Sequence, residues 1–111
     1  MPSEVPAQRL RDIIANIDRV RTHVQGTPPN TPFDDKTRDA VERCLERISE
    51  AVKKLGPEIE EREPDIPWRS IRGLGNVLRH QYDVVDDQVI REIVERDLGA
   101  LRDACVRIAA V

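Results

Sequence analysis

Residues 72–82, RGLGNVLRHQY, contain the side chains of this chain that are best suited to acid–base and phosphate chemistry. They include two arginines, an asparagine, a histidine and the only tyrosine, and no acidic residue occurs from Ile66 to Tyr82. A histidine titrates near neutral pH, so it can take a proton from a ribose 2′-hydroxyl or give one to a leaving oxygen. An arginine can hold the phosphate and stabilise its developing charge. The stretch therefore fits metal-free cleavage of RNA, because DNA lacks the attacking hydroxyl.

A helix would bring these side chains to one face. Arg72, Asn76 and His80 are spaced four residues apart, so they cover about 80° of a helix surface. Arg79 directly precedes His80, and Tyr82 follows the expected end of the helix. A plain structural interpretation stands beside the catalytic one. A histidine near a helix end commonly contacts a carbonyl group or the helix dipole, and arginines on a helix are commonly solvated.

The elements that must position this face are predicted to be helices. Apolar residues recur at steps of three and four in four segments, and no segment keeps the alternation of a strand. The four apolar stripes are Leu10, Ile13, Ile14, Ile17, Val20 and Val24; Val41, Cys44, Leu45, Ile48, Val52 and Leu55; Ile71, Leu74, Val77 and Leu78; and Val89, Ile90, Ile93, Val94, Leu98, Leu101, Cys105 and Ile108. The pattern predicts an all-α, antiparallel bundle of four or five helices that forms one domain over residues 1–111.

Capping and turn residues predict where these helices begin and end. The predicted bounds are about 5–24, Asp34 or Asp35 to Gly56–Pro57, Trp68 to His80 or Tyr82, and Asp86 or Asp87 onward. Between the second and third helices, residues 57–67 read as an acidic, solvated connector with one turn of helix at most. Trp68 is predicted to pack into the core. Gly99 is expected to bend or split the last helix, because glycine is a poor helix former.

Composition and charge exclude several classes of protein. The 111 residues carry a net charge of −3, which argues against an overall basic nucleic-acid binder but leaves a local basic patch open. No apolar run approaches the roughly 20 residues of a membrane span, and the N-terminus lacks an apolar signal core, so we expect a cytoplasmic protein. Cys44 and Cys105 lie in apolar stripes and are predicted to be buried thiols without the spacing of a zinc site. We expect no metal and no cofactor.

Four stretches resemble the HepT-like family of the HEPN superfamily, and together they cover nearly the whole chain. They are RDIIANIDRV, FDDKTRDAVERCLERISEAVKKL, IPWRSIRGLGNVLRHQYDVVD and VIREIVERDLGALRD. The third is the most specific, because the family motif reads Arg, four to six residues, His, any residue, Tyr. HQY at residues 80–82 matches the second half of that motif. The motif arginine would fall on Gly75 or Gly73, and the nearest arginines are Arg72 and Arg79.

The resemblance implies a homodimer in which the motifs of two subunits face a shared cleft. It also implies the toxin of a HepT/MntA-type toxin–antitoxin system that cuts RNA, with His80 as acid or base. Arg79 or Arg72 would then hold the phosphate, with Asn76 in support. The expected antitoxin is an MntA-like nucleotidyltransferase that transfers AMP to Tyr82, which would add bulk and negative charge beside the histidine.

Two alternatives remain beside the toxin. One is a catalytically weak HEPN binding module that holds a nucleotidyltransferase, a nucleotide or RNA without cleaving it. The absence of an arginine at the motif position favours this alternative. The other is a structural helical dimer without a ligand, for which the arginines of the third helix would matter only to solubility.

Overall fold

All regular structure in the described part of the chain is helical. The computed structural model describes residues 4–80 and 87–110, with the backbone alone for residues 4, 5, 80 and 87. The elements in chain order are α1 (Glu4–Val24), α2 (Asp35–Lys53), the single-turn α3 (Pro57–Glu60), α4 (Trp68–His80), α5 (Asp87–Glu92), a π-helical segment (Ile93–Asp97) and α6 (Leu98–Ala109). The predicted all-α helical bundle is confirmed.

The ends of α2 follow from the residue types found there. The carboxylate of Asp34 accepts a hydrogen bond from the backbone N–H of Thr37 at 2.7 Å, which caps the helix and lowers the pKa of Asp34. After the helix, Gly56 has φ +90°, in the left-handed region that glycine adopts without strain. Pro57 then opens α3, where its fixed φ suits the first helical position.

The core lies between α2 and its neighbours, because α2 packs against both α1 and α4 while α1 also packs against α6. Most residues of the four predicted stripes are buried, and Ile14, Val24, Leu74, Val77, Ile93 and Val94 are partly buried against them. Ile48 of α2 is 1% exposed. Replacing such a residue by alanine typically costs about 2–5 kcal/mol. Burial of the stripes therefore fixes the orientation in which α4 presents its other face.

Trp68 anchors the start of α4, and its predicted place in the core is confirmed. Its side chain is 5% exposed, and its indole Nε1 donates a hydrogen bond to the carbonyl oxygen of Glu63 at 2.9 Å. The backbone N–H of Trp68 donates to the carbonyl of Ile66 at 2.8 Å. These two bonds tie the acidic connector to the helix that follows it.

One prediction for the last helical region is wrong, and another differs from the structure in position. Val89 was placed on the apolar stripe, but it is 45% exposed. The last helical region is divided, as expected, but the irregularity is the π-helical segment Ile93–Asp97, which ends two residues before Gly99. Glycine lowers the stability of a helix but does not decide where the helix deforms. One extra residue in a turn deforms the helix at that turn.

Among the described residues, no helix combines the length and the apolar character needed to cross a membrane.

Candidate active site

The predicted polar face is present on α4, on the side turned away from the core. Arg69, Asn76 and Arg79 are exposed and Arg72 is half-buried, whereas Ile71 and Leu78 of the same helix are buried. At about 100° per residue, Arg72, Asn76 and Arg79 fall within about 60° of one another around the helix axis. The fold therefore brings three of the predicted site residues to one surface.

The side chain of Arg72 is already engaged by an acidic residue of the connector. Its Nη1 makes a short ion pair with Oε2 of Glu60, the last residue of α3. The side chain of Glu60 is 17% exposed and that of Arg72 is 37% exposed. A half-buried pair of this kind is screened less by water than a surface pair, so it holds α3 against α4. The carboxylate also neutralises the charge that Arg72 would otherwise offer to a phosphate.

Gly75 lies at a close contact between α4 and α2, over Ser49. The Ser49 hydroxyl donates to the carbonyl of Arg72 at 3.0 Å and accepts from the backbone N–H of Gly75 at 3.1 Å. Among the described residues, Ser49 carries the only buried polar side chain apart from the cysteines and Trp68, and these two bonds satisfy its hydroxyl. A Cβ atom added to Gly75 would stand 3.1 Å from that hydroxyl oxygen. Glycine at position 75 thus permits this helix-to-helix contact.

The guanidinium of Arg79 lies beside the same glycine. Its Nη1 is 3.3 Å from the place that a Cβ of Gly75 would occupy. Helical side chains lean towards the N-terminus, over the residue one turn earlier, and Arg79 follows this rule. By contrast, a Cβ added to Gly73 would meet no atom within 4 Å. The two glycines of the motif region are therefore not equivalent.

Two predicted site residues are described incompletely or not at all. His80 is the final residue of α4, so its backbone belongs to the helix that carries Arg72, Asn76 and Arg79, while its side chain is outside the described part. Tyr82, the predicted site of modification, lies outside the described residues altogether. The roles of both remain predictions.

Two residues that the sequence did not indicate support this face, Ser49 and Glu60. Ser49 stands next to Ile48 within the apolar stripe of α2, and a lone hydroxyl at that position was the available signal for a buried polar contact. Glu60 is one of several carboxylates in residues 57–67, and nothing in the sequence distinguishes it from the others. Both act through contacts between residues that are distant along the chain.

The acidic connector is only partly solvated, contrary to the sequence-based interpretation. Besides the Glu60–Arg72 pair, both carboxylate oxygens of Glu63 accept hydrogen bonds from Arg107 of α6, at 2.7 and 3.0 Å. These bonds lower the pKa of Glu63. The connector therefore joins α4 to the C-terminal helix.

The two cysteines are free, buried thiols, as predicted. Burial raises the pKa of Cys44, and it raises the pKa of Cys105 to about 12. Such thiols stay protonated at neutral pH and are poor nucleophiles. Within residues 4–80 and 87–110, no three His, Cys, Asp or Glu side chains form a group that could hold a metal ion.

The all-helical fold of the described residues is consistent with a helical bundle of the HEPN type. The chain belongs to the HepT-like family, because the family model described as "Ribonuclease HepT-like" matches residues 9–108. The nuclease chemistry suggested by the residues of α4 thus coincides with the description of the family.

Individual relatives agree with the family. A provisionally named RNase of Methanocaldococcus jannaschii is 31% identical over 103 residues, which cover 92% of this chain and 89% of the relative. A provisionally named ribonuclease HepT of Thermococcus cleftensis is 38% identical over 69 residues, which cover 62% of this chain and 63% of the relative. A provisionally named RNase of Caldanaerobacter subterraneus is 30% identical over 103 residues, covering 88% of each chain. No solved structure matches.

Proposed function

We propose that this protein is a metal-independent endoribonuclease, the toxin of a HepT/MntA-type toxin–antitoxin system acting in the cytoplasm. One observation carries the proposal: a chain of the HepT-like ribonuclease family has a helix face with exposed Asn76 and Arg79 and half-buried Arg72, and this helix ends at His80. No carboxylate occurs on the chain from Ile66 to Tyr82. Such a local positive surface attracts a polyanion even when the net charge of the protein is negative.

The proposed reaction is transesterification of RNA. His80 takes the proton of a ribose 2′-hydroxyl, the 2′-oxygen attacks the adjacent phosphorus, and the bond to the 5′-oxygen of the next nucleotide breaks. A protonated imidazole returns a proton to that leaving oxygen. An arginine of α4 stabilises the additional charge on the non-bridging oxygens, and Asn76 orients the phosphate or the ribose. A homodimer would bring two copies of these groups to one cleft.

Inactivation is proposed to occur at Tyr82. Its phenolic oxygen would attack the α-phosphorus of ATP bound to an MntA-like nucleotidyltransferase, pyrophosphate would leave, and AMP would remain on the tyrosine. The added phosphate and nucleoside, two residues from His80, would repel an RNA phosphate and obstruct the site. Incubation with such a partner and ATP should add the mass of one AMP per chain, and Tyr82→Phe should prevent it.

The decisive test is RNA cleavage in EDTA by the purified protein and by its His80→Ala variant. We expect cleavage by the parent and loss of cleavage in the variant, at equal melting temperature. Mass spectrometry should first establish that Tyr82 is unmodified. Equal cleavage by both proteins would refute the role of His80 and point to a contaminating nuclease.

A second candidate function is that of a binding module that holds RNA or a nucleotidyltransferase without cleavage. It is favoured by Gly75 at the motif position and by the engagement of Arg72 with Glu60, because both reduce the positive charge available for catalysis. Retention of intact RNA by folded, unmodified protein that cleaves nothing would support this second function.

A further inference from the structure

Two arginines of α4 face the same side of the helix but have different surroundings. The guanidinium of Arg72 is bound to Glu60, in a half-buried ion pair. Arg79 is exposed and forms no ion pair within the described ranges 4–80 and 87–110. Within those ranges no carboxylate has to be displaced before Arg79 approaches a phosphate, whereas Arg72 must first release Glu60.

The position of the Arg79 guanidinium depends on Gly75. Its Nη1 lies 3.3 Å from the site of a would-be Cβ at position 75, so the side chain lies back over the helix backbone. A methyl group at position 75 would stand 3.3 Å from this nitrogen, so the guanidinium would have to shift by a few tenths of an ångström. The backbone of Gly75 is fixed in turn, because its N–H donates to the buried hydroxyl of Ser49. Ser49, Gly75 and Arg79 thus form a stack that begins in α2 and ends at the protein surface.

We propose that Arg79, supported by Gly75 and Ser49, is the arginine that contacts the RNA phosphate, and that Arg72 is a structural brace between α3 and α4. The proposal rests on the proposed ribonuclease function and assigns within it a role that the sequence left open between two residues. Arginine presents a planar fork of donors that matches two phosphate oxygens. A guanidinium laid on a fixed backbone loses less conformational freedom when it binds than one that extends freely into solvent.

The test compares four arginine variants for cleavage of a short RNA in EDTA, with kcat, KM and melting temperature measured for each. Arg79→Ala should lower kcat/KM by about 100-fold or more at an unchanged melting temperature, as expected for loss of one preorganised charge. Arg79→Lys should recover little of this, because an ammonium lacks the fork. Arg72→Ala should lower the melting temperature and reduce kcat/KM by less than about 10-fold. Arg69→Ala, an exposed arginine on the same helix, should cost only a few-fold.

Glycine variants test the stack without removing the arginine. Gly75→Ala would displace the Arg79 guanidinium, and kcat/KM should fall by about 10-fold or more, because small displacements of a catalytic contact are costly. Gly73→Ala is the matched control, since a methyl group there meets nothing within 4 Å, and its activity should equal that of the parent.

The outcomes separate this assignment from the proposed function. If Arg72→Ala, at an unchanged melting temperature, loses as much activity as Arg79→Ala, the assignment is wrong. Equal losses in Arg69→Ala and Arg79→Ala would show a general effect of charge and would also overturn it. If the parent protein leaves RNA intact, the proposed function fails, and binding of a 2′-deoxy oligonucleotide still decides the assignment. The slope of log K against log salt concentration for that binding should then become less steep by about one in Arg79→Ala and stay constant in Arg72→Ala.

Discussion

Alanine at Gly73 should stabilise this protein, whereas alanine at Gly75 should not. Both glycines lie in α4, so each replacement gains up to about 1 kcal/mol of helix propensity. At position 73 the new methyl group meets no atom within 4 Å, and the whole gain should appear. Gly73→Ala should therefore stabilise the fold by about 0.5–1 kcal/mol.

At position 75 the same methyl group would stand 3.1 Å from Oγ and 3.3 Å from Cβ of Ser49. Carbon contacts are most favourable at about 3.5–4.0 Å, so Ser49 or α4 has to move. The two hydrogen bonds of the Ser49 hydroxyl, at 3.0 and 3.1 Å, are disturbed by that movement. Overpacking of this kind costs about 1–3 kcal/mol. Gly75→Ala should thus be neutral or destabilising by up to about 2 kcal/mol, after the propensity gain is subtracted.

The assay is urea unfolding followed by circular dichroism, with the slope m compared between variants to establish that the unfolded states are alike. A third variant, Ser49→Gly, removes the atoms that the new methyl group would strike. In that background Gly75→Ala should recover its propensity gain, so the two substitutions should couple by about 1 kcal/mol or more. If Gly75→Ala stabilises the parent as much as Gly73→Ala does, the close contact between α2 and α4 is refuted.

Three further outcomes follow from the structure. Cys105, whose pKa is raised to about 12, should react with a thiol reagent only on unfolding. Rapid labelling of Cys105 in the native protein would contradict its burial. The pKa of Glu63 is lowered in the fold, so its contribution is present above the unfolded pKa of about 4.5 and disappears as the pH falls through the lowered value. Glu63→Gln should accordingly lower the melting temperature at pH 7 but not at about pH 2, and an equal difference at both values would exclude the ion pair as the cause. Trp68→Phe should lower the free energy of unfolding by about 1–3 kcal/mol, because the carbonyl of Glu63 loses the indole donor. Urea unfolding followed by circular dichroism measures this loss, and an unchanged midpoint would refute the importance of that bond.

The helices and their approximate ends were predictable because their signals are local. Apolar spacing predicted α1, α2 and α4, Asp34 or Asp35 predicted the start of α2, and Gly56 with Pro57 predicted its end. The polar face of α4 was predictable for the same reason, since the spacing of Arg72 and Asn76 already places them on one side of any helix.

The contacts that decide what each arginine does could not be predicted in this way. Arg72 and Glu60 are 12 residues apart, and Ser49 and Gly75 are 26 residues apart. Such pairs depend on how the helices pack, and several other carboxylates of the connector were equally plausible partners for Arg72. The distinction between Gly73 and Gly75 had the same origin, because the neighbouring helix comes close to Gly75 and not to Gly73.

The π-helical segment Ile93–Asp97 has a consequence for the register of the chain. Ile90 before it and Leu98 after it are both buried, yet eight residues of regular helix would turn them about 80° apart. One additional residue in a helical turn offsets the downstream helix by about 100°, which brings the two side chains back towards one side. The segment thus acts as an inserted residue that keeps α5 and α6 in phase with a single core. A one-residue deletion within it should therefore leave a regular helix in which Ile90 and Leu98 lie about 20° apart, so that Leu101, Cys105 and Ile108 still face the core.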